Sequence, residues 1–391
     1  MEQIYAITVS SAGDNCAMKG RKAMKENVGK VMTVQGAVDP TDLGHTLPHE
    51  HTLNWLDHYE MPDPDPEKRK YFDQPVTLDN LHYILNENFY GVRDNLLNYD
   101  DGLFIEEMRR FKKAGGGTVV DLTCDDNTKF YAEGKPTDEH WMRVKAIAEQ
   151  SGIYIVGAVG HFPPNGKTDF SNLSVEDIAR QYIDIIRNGY GKTGIKPGII
   201  GEIGTSDVIT DAEWKCLRAA AIAGKETGLA VNVHVNVYQW RHDFKILKLF
   251  EEEGFDLNRF AFSHREACLI QDNWSEGDAF GHLQALMDKG AYISFDGVGN
   301  MSYEKMPYGS WCNASDKQRA QAVYKLIVRG YQDRILLSHD SAERHRFSTC
   351  GGYCYNHITT RFREICNLVG VENDEFDAII CKNPQRLLTI Q

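Results

Sequence analysis

Six side chains in this sequence are of the types that hold divalent cations: His49 and His51 in LPHEH, Glu202 in GIIGEIG, His234 in VNVHV, His264 in FAFSH and Asp340 in ILLSHD. Imidazole nitrogens and carboxylate oxygens suit Zn2+ best, with Mn2+, Co2+ or Fe2+ also compatible. Six donors exceed what one tetrahedral zinc needs, and they divide between two ions. His49, His51 and Asp340 would hold the first, His234 and His264 the second, and Glu202 would bridge them. A hydroxide shared by two cations, its pKa lowered by their charge, is then the expected nucleophile. Asp340 is expected to orient it and carry its proton to the leaving group, which makes Asp340 and Glu202 the expected catalytic carboxylates. The second ion would polarise a carbonyl or phosphoryl oxygen.

Taken singly, each position has a plainer reading. A strand histidine is more often a hydrogen-bonded core residue, Glu202 can pair with an arginine, and Asp340 can cap a following helix. Six costly polar groups at the ends of apolar runs in one chain are hard to explain that way. Elsewhere, His161 in GHF is expected to line the pocket, and His339, beside Asp340, to point away from the barrel centre. The other histidines, His58 among them, fall on loops or helices and read as solvated. Cys350 and Cys354 in CGGYC lack the second half of a metal site and read as loop thiols, and Cys124 as a small buried one.

Positioning these groups falls to an alternation of short apolar runs and longer amphipathic ones. Strands are expected at 46–53, 118–123, 154–159, 198–203, 230–235, 260–264, 291–296 and 334–340. Helices are expected at 103–114, 137–150, 174–188, 211–227, 241–253, 277–289, 315–329 and 355–369. Thr210 with Glu213 three residues on is a capping box, and Gly228 suits the helix end that follows. Eight strands each followed by a helix predict an α/β fold, a single (β/α)8 TIM barrel with its metal centre at the C-terminal face. Residues 1–29 read as an N-terminal extension and 30–391 as the catalytic barrel. Within 57–100, MPDPDPEKRK with its three prolines argues against a helix, and the rest is expected to form a short helix over the barrel mouth or bottom.

Composition narrows the partners. Of 391 residues 42% are apolar and 25% charged, an ordinary globular balance, and the net charge of −13 disfavours nucleic acid. No apolar stretch is long enough for a membrane span and no secretory signal is evident. Nine cysteines, an odd number thinly spread, fit reduced thiols in the cytoplasm. No glycine-rich nucleotide loop and no serine triad is evident. The partner expected is a small-molecule substrate.

LGHTLPHEH, KPGIIGEIGTS, VNVHV, FAFSH, ILLSHD and GGYCYNHI…KNPQRLL, in that order over about residues 32–390, resemble the phosphotriesterase-related branch of the amidohydrolase superfamily. GVRDNLLNYD and FKKAGGGTVVDLT are closest to the group in which a glutamate, here Glu202, replaces the carboxylated lysine that bridges the metals in true phosphotriesterases. The resemblance implies the barrel, a binuclear centre on the six residues above, hydrolysis and a possible homodimer. It also places Phe162 where lactonases of the family carry a tyrosine, and Arg265 where it could pair with an anionic substrate group. The function expected is metal-dependent hydrolysis of a carboxyl derivative: an N-acyl amide, lactone or ester. A phosphotriester or phosphoester hydrolase and a catalytically silent metal-containing binding protein are the alternatives.

Overall fold

The computed structural model describes residues 27–391 apart from 136, 237–238, 301–302 and 307–308, so most of the expected N-terminal extension lies outside the described residues. Eight parallel strands form the barrel: β1 (His45–Glu50), β2 (Gly116–Asp121), β3 (Tyr154–Val159), β4 (Ile199–Ile203), β5 (Ala230–Val233), β6 (Phe260–Phe262), β7 (Tyr292–Phe295) and β8 (Ile335–Leu337). Neighbours follow chain order, as right-handed strand–helix–strand units require. Two bonds bring the last strand round to the first: the His49 amide donates to Ser338 Oγ at 3.0 Å and the Asp340 amide to the His49 carbonyl at 3.2 Å.

The strands are shorter than their apolar runs suggest, chiefly at their C-terminal ends. β5 stops at Val233, β6 at Phe262 and β8 at Leu337, so His234, His264 and Asp340 stand one, two and three residues past the ladder. His264 and Asp340 there adopt left-handed backbone angles (φ 58° and 53°), which no parallel strand can hold. The helix Asp211–Thr227 has both capping-box bonds between Thr210 and Glu213 and ends on Gly228 in the left-handed region (φ 72°).

The interior of the barrel is packed with side chains such as Val120, Val156, Ile199 and Leu336, joined at the floor by Val31 and Leu388. Val31 comes from a short hairpin, Val31–Thr33 with Gly36–Val38, absent from the sequence expectation because its strands are too short to show a period. A second hairpin, Tyr303–Met306 with Gly309–Cys312, follows β7. Residues 57–100 lie over the mouth: Tyr59 and Tyr90 reach the cavity there, while Leu78–Asn86 is the expected helix. The expectation against a helix in the proline-rich stretch fails at Pro66–Arg69. Asp65 caps it by accepting from the Glu67 amide, and Pro66 occupies the first helical position, where no N–H is needed. No described helix is long and apolar enough to cross a membrane.

Gly198, just before β4, is where the floor hairpin touches the barrel. A Cβ there would stand 2.1 Å from the Met32 carbonyl oxygen and 2.7 Å from Val156 Cγ1. Gly198→Ala should therefore cost about 1–3 kcal/mol by overpacking, read as a lower urea midpoint at unchanged slope. An unshifted midpoint would show that the hairpin does not bear on the barrel.

Candidate metal centre

All six expected donors meet at the C-terminal mouth. His51 Nε2 lies 3.0 Å from Asp340 Oδ1 and 3.7 Å from Glu202 Oε1. His49 Nε2 lies 3.5 Å from both Glu202 Oε2 and Asp340 Oδ1. His234 Nδ1 is 3.0 Å from Glu202 Oε2 and 2.9 Å from His264 Nε2. Among the described residues, two groups have donor atoms within 4.8 Å of one another: His49, His51 and Asp340, and His49, Glu202 and His264. His49 belongs to both, rather than to the first alone.

A buried, unanswered nitrogen tests whether the set fits cations. His49 is fully buried, and its Nε2 has no hydrogen-bond partner among the described residues although two carboxylates face it at 3.5 Å. Two carboxylates and four imidazoles around such a nitrogen are the hard and borderline donors that divalent ions take. The protonation pattern agrees. Burial works against charging His49, but Asp296, Glu202 and Asp340 outweigh it and push it up to about 10. His264 is likewise opposed by burial and pushed up to about 9, chiefly by Asp296. Burial raises Glu202, yet His234 and His49 bring it down to about 2. Asp340 is held well below the usual carboxylate range, against burial, by His49 and His51. Burial pushes His234 down, so it is protons on His49 and His264 that offset these carboxylates where cations can take their place.

Behind the donors stands a second ring of bonds, and its centre was not anticipated. Asp296, fully buried one residue past β7, accepts from the His264 amide at 2.9 Å and faces His264 Nδ1 at 2.7 Å and His49 Nδ1 at 3.1 Å. One carboxylate therefore sets the rings of two donors, the usual task of an outer carboxylate beside metal-bound histidines. The sequence carried a signal for it: an acid closing the apolar run YISFD, as Glu202 interrupts its own. Ser263 Oγ also meets His49 Nδ1, at 2.9 Å, and Thr123 Oγ1 meets His51 Nδ1 at 3.1 Å. Between the first two histidines, Glu50 turns the other way and gathers Ser338, His339 and Ser341.

Of the three pocket residues expected, the structure brings one to the cavity. Phe162 lines it and packs edge-on to His234 at 5.0 Å. Arg265 does not: its side chain is buried outside the mouth, where Nη1 donates to Asp243 Oδ2 at 2.7 Å. That buried ion pair claims the charge that was expected to meet a substrate anion. His161 is also drawn aside, 3.5 Å from Asp126 Oδ2 and against the rings of Phe170 and Tyr182, and is not among the cavity's lining residues. In their place His58, read as solvated, lines the cavity. Burial and then Lys167 push its imidazole down to about 4, so it is neutral near pH 7.

The Phosphotriesterase family model matches residues 29–388. N-acetyltaurine hydrolase of Mus musculus is 32% identical over 367 residues, covering 93% of this chain and 99% of that protein. Among solved structures, a resiniferatoxin-binding protein from Rhodobacter sphaeroides is 29% identical with a TM-score of 0.83, covering 92% of this chain and 95% of its own. The phosphotriesterase homology protein from Escherichia coli, solved with phosphate in its active site, has a TM-score of 0.68 at 24% identity, over 90% of this chain and 100% of its own, and supports the barrel fold. With the donors gathered at the mouth of such a barrel and the family model spanning nearly its whole length, this chain belongs to the phosphotriesterase family and is a metal-dependent hydrolase.

Proposed function

We propose that this hydrolase cleaves the amide bond of small N-acyl compounds of the N-acetyltaurine type, with a pair of divalent cations, Zn2+ best matched, on His49, His51, Glu202, His234, His264 and Asp340. The observation that carries the reading is the buried His49 Nε2, facing two carboxylates with no hydrogen bond among the described residues, in a chain whose curated relatives are named for that reaction. Bound there, the cations would acidify a water and polarise the scissile carbonyl. The cavity, about 170 Å3, suits a small molecule.

The chain's own groups divide the remaining work. Asp340 is the most open of the six donors, with 28% of its side chain exposed against 6% for Glu202, and it lines the cavity. Its carboxylate, set by His51 at 3.0 Å, is therefore the one placed to receive a proton from the attacking water and return it to the leaving nitrogen. Glu202, enclosed by His49, His51 and His234, would hold the cations from the closed side of the site. Phe162 offers an apolar wall and no hydroxyl. A cytoplasmic homodimer acting on a small molecule completes the proposal. The resiniferatoxin-binding neighbour favours a second reading, a binding protein that keeps its ions without turnover.

Asp340→Asn should lower kcat on N-acetyltaurine by about 10^2–10^4-fold with metal content largely kept. Near-normal turnover would remove Asp340 from proton transfer, and a metal-loaded wild type inert toward amides, esters, lactones and phosphotriesters would favour the binding protein. Asp296→Asn should weaken metal affinity about 10–100-fold in chelator competition, through its two histidines. Stability of the metal-free protein should depend on pH at both ends. The raised pKa values of His49 and His264 contribute stability that is whole below 6.5 and lost as pH climbs through about 9 and about 10. Glu202, depressed from 4.5 to about 2, contributes stability present above 4.5 and lost as pH falls toward about 2. Thermal unfolding in chelator should accordingly show stability falling from about pH 6.5 to about 10, a fall that saturating metal abolishes; a flat profile across that range would contradict these charge states.

A further inference from the structure

The cavity wall holds an acceptor that the ligand set leaves unused. Glu266, two residues past His264, lines the cavity and is 5% exposed. Its Oε1 is fixed, accepting from the Gly297 amide at 2.5 Å and from Arg319 Nε at 3.3 Å. Arg319 is fully buried and donates in turn to Asp316 Oδ1 at 3.2 Å and the Asn300 carbonyl at 3.1 Å. The arrangement requires glycine at 297, since a Cβ there would stand 2.5 Å from Glu266 Oε1 and 2.6 Å from Arg319 Nη2. Oε2, by contrast, is buried and has no hydrogen-bond partner among the described residues.

Burial and Asp296 push the Glu266 carboxyl up, and the buried Arg319 guanidinium at its Oε1 opposes them; paired with that cation the carboxylate only accepts hydrogen bonds, and a buried acceptor left unserved is costly. What the site lacks is a donor, and the candidate substrate classes differ in whether they bring one. A secondary amide carries an N–H beside its scissile carbonyl; an ester, a lactone or a phosphotriester carries none. We propose that Glu266 Oε2 accepts the N–H of a secondary amide substrate, which makes this centre selective for N-acyl amides over the matching esters and lactones. The inference rests on the hydrolase reading above and deepens it by naming the residue that separates these classes. A site built around a substrate N–H discriminates far more strongly against its absence than an apolar wall could.

The test uses the metal-loaded full chain with N-acetyltaurine and 2-acetoxyethanesulfonate, which differ only in N–H against O. E266M should cut kcat/KM for the amide at least about tenfold and for the ester less than about threefold, collapsing the ratio between them, while E266Q keeps an oxygen acceptor and part of the ratio. Equal losses on both substrates would reduce Glu266 to a brace for its loops and overturn the proposal. Should E266M fail to fold, the wild type is tested with N-acetyl-N-methyltaurine, and undiminished kcat/KM on that tertiary amide overturns it as well. A wild type that binds metal and cleaves neither amide nor ester sinks the proposed function and this inference together, an outcome distinct from equal losses.

Discussion

Four imidazoles and two carboxylates at one barrel mouth can be buried only because every ring faces a carboxylate. Unpaired, any one of these groups would carry a desolvation cost of several kcal/mol. Here His49 is opposed by Asp296, Glu202 and Asp340, and the attraction outweighs burial enough to push it up to about 10. In the metal-free centre the ionised acids are thus answered by protons on His49 and His264, while burial pushes His234 down, and a cation enters by displacing those protons. Asp296 is the part most of the arrangement depends on, because it touches two of the rings from behind.

Backbone geometry at the strand ends serves the same purpose. His264 and Asp340 hold left-handed angles that cost a residue with a side chain roughly 1–2 kcal/mol each. Both are anchored through their own amides, His264 to Asp296 and Asp340 to the His49 carbonyl. The ladder therefore ends where a donor must turn toward its neighbours, and the turned residue is bonded to the donor or outer carboxylate beside it. Each strain sits beside the chemistry it serves.

Above the donors, the wall is built from segments far apart in sequence. The insert supplies His58, Tyr59 and Tyr90, the loop after β3 supplies Phe162, and the loops after β6 and β7 supply Glu266 and Gly297. Arg319, on the helix Asp316–Val328, ties the last two together through Glu266 and the Asn300 carbonyl. The donors stand in the strands or within three residues of their ends and the wall on loops, a division that lets one centre serve different substrates across a family.

The sequence by itself determined the strand–helix alternation, the barrel and the six candidate donors that meet at its mouth, because each depends on local signals: apolar runs, capping residues, and polar groups placed where apolar ones are expected. What lay beyond it was decided by contacts between distant segments. Asp296 closes a strand like any other acid until the fold brings it against His49, 247 positions away by number but 3.1 Å away in space. Arg265 looked like a pocket residue beside His264 until Asp243 claimed its guanidinium, and His58 looked solvated until the insert folded over the mouth. Periodicity reports which face of an element is buried; it carries no record of which charge from elsewhere will stand opposite, and in this molecule that pairing selects donor, brace or wall.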